Sequence, residues 1–125
     1  MELIKISIGS VNLVVDPLDT PTAMTICSML PHQSVAQTWG EEVYFNLPAS
    51  CEVEKNAKDV VLPGEIAFWV QGQAIAIGFG PTPISQNNEI RLAAKINVWA
   101  HALSDVRELK RVKPGDKVAV MSLLR

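Results

Sequence analysis

The chain has 125 residues, 48% of them hydrophobic and 19% charged, with a formal net charge of −2. That length suits one domain over residues 1–125 that buries roughly two thirds of its unfolded surface, and the composition excludes disorder. Lysine and arginine form no run and no Arg precedes Arg91, so the basic footprint that nucleic acid or an anionic membrane requires is missing.

Residues 2–8 alternate, with Ile4, Ile6 and Ile8 on one face, and predict a strand. Gly9-Ser10 then fits a two-residue type II′ loop into a second strand over 11–15. Neither a continuous apolar block nor a small-residue cleavage site marks the N-terminus, so no signal peptide is expected. Thr20 is suited to cap a helix that Pro21 opens, because Pro at the first helical position needs no backbone N–H. Ala23, Ile26, Cys27 and Leu30 form its apolar stripe and Pro31 ends it.

Residues 34–48 read as strand, tight turn at Gly40, strand, with Val43, Phe45 and Leu47 facing one way and Glu42, Tyr44 and Asn46 the other. The charged stretch 52–59 reads as a solvated connection. A strand starting at 61–65 runs to Val70, and a Gln71-Gly72-Gln73 turn leads into 74–79, where Ile75, Ile77 and Phe79 share a face. The opposite face, Ala76, Gly78 and Gly80, is small, which means close approach by a helix, a strand or a ligand. The most apolar stretch, 66–79, is broken by that turn and too short to span a bilayer.

A polar loop with two prolines covers 80–89. Ala94, Ile96 and Val98 alternate with Lys95, Asn97 and Trp99 in a further strand, which turns Trp99 outward as an interface or lid unless a loop buries it. Ser104 is placed to cap a short helix with Val106 and Leu109 inward, and a Lys113-Pro114-Gly115-Asp116 turn feeds the last strand. About eight strands joined by short turns must hide their edges, and closure into a β-barrel with two short helices does so. The predicted inward set is Ile4, Ile6, Val43, Phe45, Ile75, Ile77, Ile96 and Val98.

Three strings stand out: Thr38-Trp39-Gly40-Glu41-Glu42-Val43-Tyr44-Phe45, Pro63-Gly64-Glu65-Ile66-Ala67-Phe68-Trp69, and Phe79-Gly80-Pro81-Thr82-Pro83-Ile84-Ser85. With the order of elements, they resemble the cyclophilin barrel over nearly the whole chain. They are more closely similar to a family of small prokaryotic proteins of unknown function described as cyclophilin-like. The resemblance implies the fold and brings no established activity. Cyclophilins isomerise prolyl bonds with an Arg on the strand pair after the first helix. The corresponding residues here, 35–47, contain neither Arg nor Lys, and the position of the cyclophilin pocket His holds Ile96 or a neighbour.

Ligand pockets combine aromatic surface with a few polar groups, and two segments do so: the hairpin 39–44 and the loop 79–85. Together they predict a cleft in which Trp39 and Phe79 supply apolar surface, Glu42 and Tyr44 share a face and orient the ligand, and Thr82 and Ser85 donate from the opposite side. Glu41 lies on the other face of its strand. The competing structural reading makes Trp39 a plug for one barrel end. His32 and His101 read as ordinary surface or loop histidines and Cys27 as a small buried hydrophobe. No His/Cys/Asp/Glu spacing suits a metal, no Gly-rich loop precedes a helix, and no cofactor is expected. The expected activity is binding of a peptide or small metabolite by a cytoplasmic protein, with self-association left open. The alternative is an enzyme using Glu42 with Tyr44, Thr82 or His101.

Losing one charged donor to a transition state removes ~10²–10³ in rate. A chymotrypsin-coupled peptide assay is therefore expected to register no prolyl isomerisation above background, and a turnover close to that of ordinary cyclophilins would refute the argument from the missing Arg.

Overall fold

A computed structural model describes residues 2–123. Ten strands form: β1 Ile4–Ile8, β2 Val11–Pro17, β3 His32–Val35, β4 Gln37–Thr38, β5 Glu42–Asn46, β6 Lys58–Val61, β7 Glu65–Trp69, β8 Ala74–Gly78, β9 Ile90–Ala102 and β10 Lys117–Ser122. Helix α1, Pro21–Ser28, follows β2, and a 3₁₀ helix, Val106–Arg111, precedes β10. Neither is long and apolar enough to cross a membrane. Along the hydrogen bonds the strand order is β3-β10-β1-β2-β9-β7-β8-β5-β4, with β6 attached to β9. The mainly β, nearly closed barrel with two short helices expected from the sequence is the architecture found.

Local chemistry accounts for most of the elements. Gly9, at φ +57°, is the first of the two loop residues between Ile8 and its partner Val11, and it is the one that a type II′ turn needs at positive φ. The Thr20 hydroxyl accepts from the Ala23 N–H at 3.1 Å and caps α1, with Pro21 as the first helical residue. Cys27 and Cys51 are free, half-buried thiols packed against the core, and burial raises the pKa of both.

Ile4, Ile6, Val43, Phe45, Ile75 and Ile77 fill the barrel interior at no more than 1% exposure. Ile96 and Val98 do not. They belong to a second apolar cluster outside the barrel, while Trp99 is fully buried within it. The reason is a register shift where β9 passes β7. Ile66 pairs with Ala100 but Ala67 pairs with Val98, so β9 advances two residues against one and the parity of its side chains changes. Trp99 and Ala100 both end up inside, and the Trp99 indole N–H finds no partner among the described residues.

Three further expectations change. The segment 34–48 is not one hairpin: β3 pairs with β10, only β4 and β5 form the hairpin around Gly40 (φ +58°), and the buried Ala36 is the corner between them. The charged stretch 52–59 is not simply solvated. Lys58 and Asp59 start β6, where they pair with Glu65 at 2.8 Å and Arg91 at 2.9 Å. The second helix is capped by Asp105, whose carboxylate accepts from the Arg107 N–H, because the Ser104 hydroxyl instead accepts from the Val14 N–H at 2.9 Å.

Asn97 is fully buried and ties three segments together. Its amide nitrogen donates to the Thr22 hydroxyl and to the Glu52 carbonyl, both at 2.9 Å, and its oxygen accepts from the Glu54 N–H at 2.9 Å. The Thr22 hydroxyl in turn donates to Glu54 at 2.6 Å. Asn97→Ala leaves these groups unpaired in a dry site. The expected loss is about 2–4 kcal/mol in a denaturant titration, and a loss below about 0.5 kcal/mol would show that the network does not hold α1 to β9.

Candidate functional site

The outer face of the barrel at β5, β8 and β7 carries Tyr44, Ala76 and Ala67, which alternate with the interior side chains of the same strands. Onto this face folds the ribbon of β6 and the first half of β9, placing Val61, Ile90, Leu92 and Ile96 against it. Gly78 permits the approach: a Cβ there would lie 2.4 Å from a methyl of Ile90. The small face noted in the sequence is thus partly filled by another strand.

The ribbon does not cover the face completely. Val60 pairs with Arg91 and Lys58 with Ile96, so β9 bulges outward between those pairings. A cavity of about 220 Å³ opens beneath the bulge. Leu92, Ala93, Ala94 and Ile96 of β9 form one wall, and Trp39, Glu42 and Tyr44 form the other. Ala76 and Trp69 complete the lining. A second, more open depression is also lined by Tyr44 and Trp69, together with Gln37, Asn46 and Gly72.

Two walls are held by close packing of glycines. Gly40 leaves the hairpin tip free to dock on the loop that follows β8, since a Cβ there would meet Pro83 at 2.7 Å. The Glu41 N–H donates to the Pro81 carbonyl at 3.1 Å, and the Phe79 N–H donates to the Glu41 carbonyl at 2.9 Å. Gly72 carries the Trp69 ring: an added Cβ would fall 2.1 Å from it.

Glu42 is the cavity's carboxyl and is 7% exposed. Burial alone pushes its pKa from 4.5 up to about 7. Among the described residues, no cation or hydrogen-bond donor acts on it in the opposite direction.

Of the residues picked out in the sequence, Trp39, Glu42 and Tyr44 therefore converge on one cavity, while Phe79, Thr82 and Ser85 lie outside it. Phe79 packs against the barrel interior. The two hydroxyls are consumed in holding the loop to the start of β9: Thr82 donates to the Arg91 carbonyl, and Ser85 accepts from the Arg91 N–H at 3.0 Å and from the Thr82 N–H at 2.9 Å. The loop does adjoin the hairpin, as expected, but it buttresses the walls instead of lining them. His32 reaches the Asn46 carbonyl with Nε2 at 2.9 Å, and His101 is exposed on β9 opposite Asp16 and Glu65.

Sequence reading passed over Trp69 and the whole β9 wall. One signal was available: Ala93-Ala94 is a pair of small residues in a strand, and such residues fit poorly on a packed sheet face.

A sequence model of the cyclophilin-like family matches residues 2–121. The chain is similar to a hypothetical protein from Archaeoglobus fulgidus of known solution structure, with 35% identity over 98% of this chain and 95% of that one and a TM-score of 0.82. It is also similar in fold to McbB, solved in complex with tryptophan. There the identity is 15%, the TM-score is 0.65, and the match covers 98% of this chain but 45% of McbB. No curated protein matches the sequence. The chain belongs to the cyclophilin-like family.

Proposed function

We propose that this protein binds a small metabolite in the cavity between β5 and the bulge of β9. The observation that carries this reading is Glu42: one carboxyl, buried in an otherwise apolar and aromatic cavity, with no internal partner among the described residues. A few polar groups set in apolar walls are the usual build of a ligand site, and an uncompensated buried carboxyl costs stability unless something outside the chain answers it. At about 220 Å³ the cavity is below the ~300–1,000 Å³ of drug-sized sites, which favours a compact metabolite over a peptide. The two free thiols, Cys27 and Cys51, suit a reducing compartment, and we place the protein in the cytoplasm.

An enzyme is the second reading, favoured by the pKa of Glu42 near 7 with Tyr44 in the same cavity. A carboxyl poised there can give and take a proton at neutral pH. Chemical change in a bound ligand with the native protein, absent with Glu42→Gln, would select it.

The binding reading is tested by an NMR titration with a library of small metabolites. Shifts are expected to cluster at the indoles of Trp39 and Trp69 and to leave Trp99 unmoved, and hits that map elsewhere, or no hits, would overturn it. Gly72→Ala drives the Trp69 ring out of its place, so the same hits are expected to lose their shifts while the fold survives.

Because the folded pKa of Glu42 lies above its ordinary value, the unfolded chain releases this proton first as pH rises. Stability therefore falls between about pH 4.5 and 7 and is level above that range. Glu42→Gln is expected to match the native protein at pH 4 and to exceed it by up to roughly 3 kcal/mol at pH 8. An equal deficit for the variant at both pH values would mean that the carboxyl is not desolvated.

A further inference from the structure

Resting on the binding reading above, we propose that the cavity takes an organic ammonium cation, with its charge against Glu42 and its carbon shell against the rings of Trp39, Tyr44 and Trp69.

Aromatic residues are divided unevenly in this molecule. The chain has three Trp, three Phe and one Tyr. Phe45 and Phe68 are buried in the barrel interior and Phe79 packs against it, whereas the sole Tyr and two of the three Trp line this one small cavity. Indole offers the most negative face to a cation and phenol serves as well, and an ammonium group enclosed by such rings is attracted most strongly where water is excluded. An apolar ligand alone would be held equally well by Phe or Leu.

Charge points the same way. Among the described residues Glu42 is the cavity's only acidic side chain, and no Lys, Arg or His lines it. The charged groups on the elements packed around it are turned elsewhere. Glu41 on the same hairpin lies over Gly80. Glu65 of β7 is paired with Lys58 of β6. Arg91 of β9 is paired with Glu89 and with Asp59 of β6. Lys95 of β9 is exposed, and β8 carries no charge. None of these sets the charge state of Glu42, whose shift has burial as its one cause. An anionic ligand would meet a carboxyl and no donor cation. A cation supplies what the cavity lacks.

A cation binds the ionised form, so below pH 7 binding must release the Glu42 proton. Affinity therefore rises with pH up to about 7 and then levels. A neutral ligand that accepts a hydrogen bond from the protonated carboxyl shows the reverse trend.

The probes are choline and its neutral, equally shaped analogue 3,3-dimethyl-1-butanol, titrated into the intact protein by tryptophan fluorescence and by NMR of the indole N–H groups. Choline is expected to bind at least about tenfold more tightly than the analogue at pH 8, and about tenfold more weakly at pH 6 than at pH 8. Glu42→Gln, which is expected to fold at least as stably as the native chain, should abolish the pH dependence and most of the preference for choline, leaving the analogue unaffected. Trp69→Leu, which keeps apolar surface and removes the indole face, should weaken choline more than the analogue. Equal or tighter binding of the neutral analogue, or choline affinity flat from pH 6 to 8, would overturn the cation while leaving a small-molecule site in place. If neither probe moves the indoles, the cation proposal fails, and the metabolite titration described above decides separately whether the cavity binds anything.

Discussion

The barrel depends on a corner at Ala36. The two ends of the hydrogen-bonded strand path, β3 and β4, are consecutive in the chain with Ala36 alone between them. A single residue thus carries the backbone from one edge of the sheet to the other. Ala36 is fully buried, its N–H donates to the Asp116 carbonyl and its carbonyl accepts from the Gly115 N–H, both at 2.8 Å. A larger side chain at that point would have to displace core atoms, and an unpaired peptide there would cost the full desolvation of its polar groups. Closure removes the free edges that a sheet of this size otherwise presents, and across the remaining seam His32 reaches the Asn46 carbonyl.

What lies outside the barrel follows from that closure. The corner directs β4 into the hairpin with β5, whose alternation then puts Val43 and Phe45 inside and Glu42 and Tyr44 outside. The long strand β9 serves both layers. It pairs with β2 and β7 in the barrel, shifts register beside Ala67, and continues outward to pair with β6. Its bulge leaves a cavity where a regular strand would have sealed the second apolar cluster. The loop after β8 is built for position: Thr82 and Ser85 fasten it to Arg91, while Pro83 and the Pro81 carbonyl receive the hairpin tip at Gly40 and Glu41. Both facing walls are thus braced by one segment that contributes no surface of its own to the cavity.

Against this frame the treatment of charge is selective. Lys58, Asp59, Glu65, Glu89 and Arg91 neutralise one another around the outer ribbon, and Glu54 is engaged by Thr22 at the start of α1. Glu42, more deeply buried than any of them, is left to be neutralised by a proton. Surface pairs contribute little to stability and their loss is tolerated. A buried carboxyl with no counter-charge among the described residues is a standing cost, of the kind that proteins carry at functional sites.

Period-two alternation was enough to place β1, β2, β5 and β8 and their inward side chains, and the Thr20-Pro21 pair was enough to start α1, because in each case the signal is local: a pleat, a cap, a turn. The same locality explains what was readable of the site. Trp39, Glu42 and Tyr44 lie within one hairpin, so their common face follows from spacing alone. Trp69 and the β9 wall lie far from them in sequence, and which of two faces Ile96 or Trp99 presents depends on a register shift that only the pairing of β9 with β7 creates. Thr82 and Ser85 have the right chemistry for a ligand, yet their hydroxyls are satisfied by the backbone of Arg91, a contact that spacing does not encode. Composition and alternation determined that this chain makes a closed β fold with an apolar interior. Tertiary structure alone decided which hydroxyls are used up, which ring stands over Gly72, and that one carboxyl is buried without a partner among the described residues, because each of these is set by non-local packing between strands that meet only when the barrel closes.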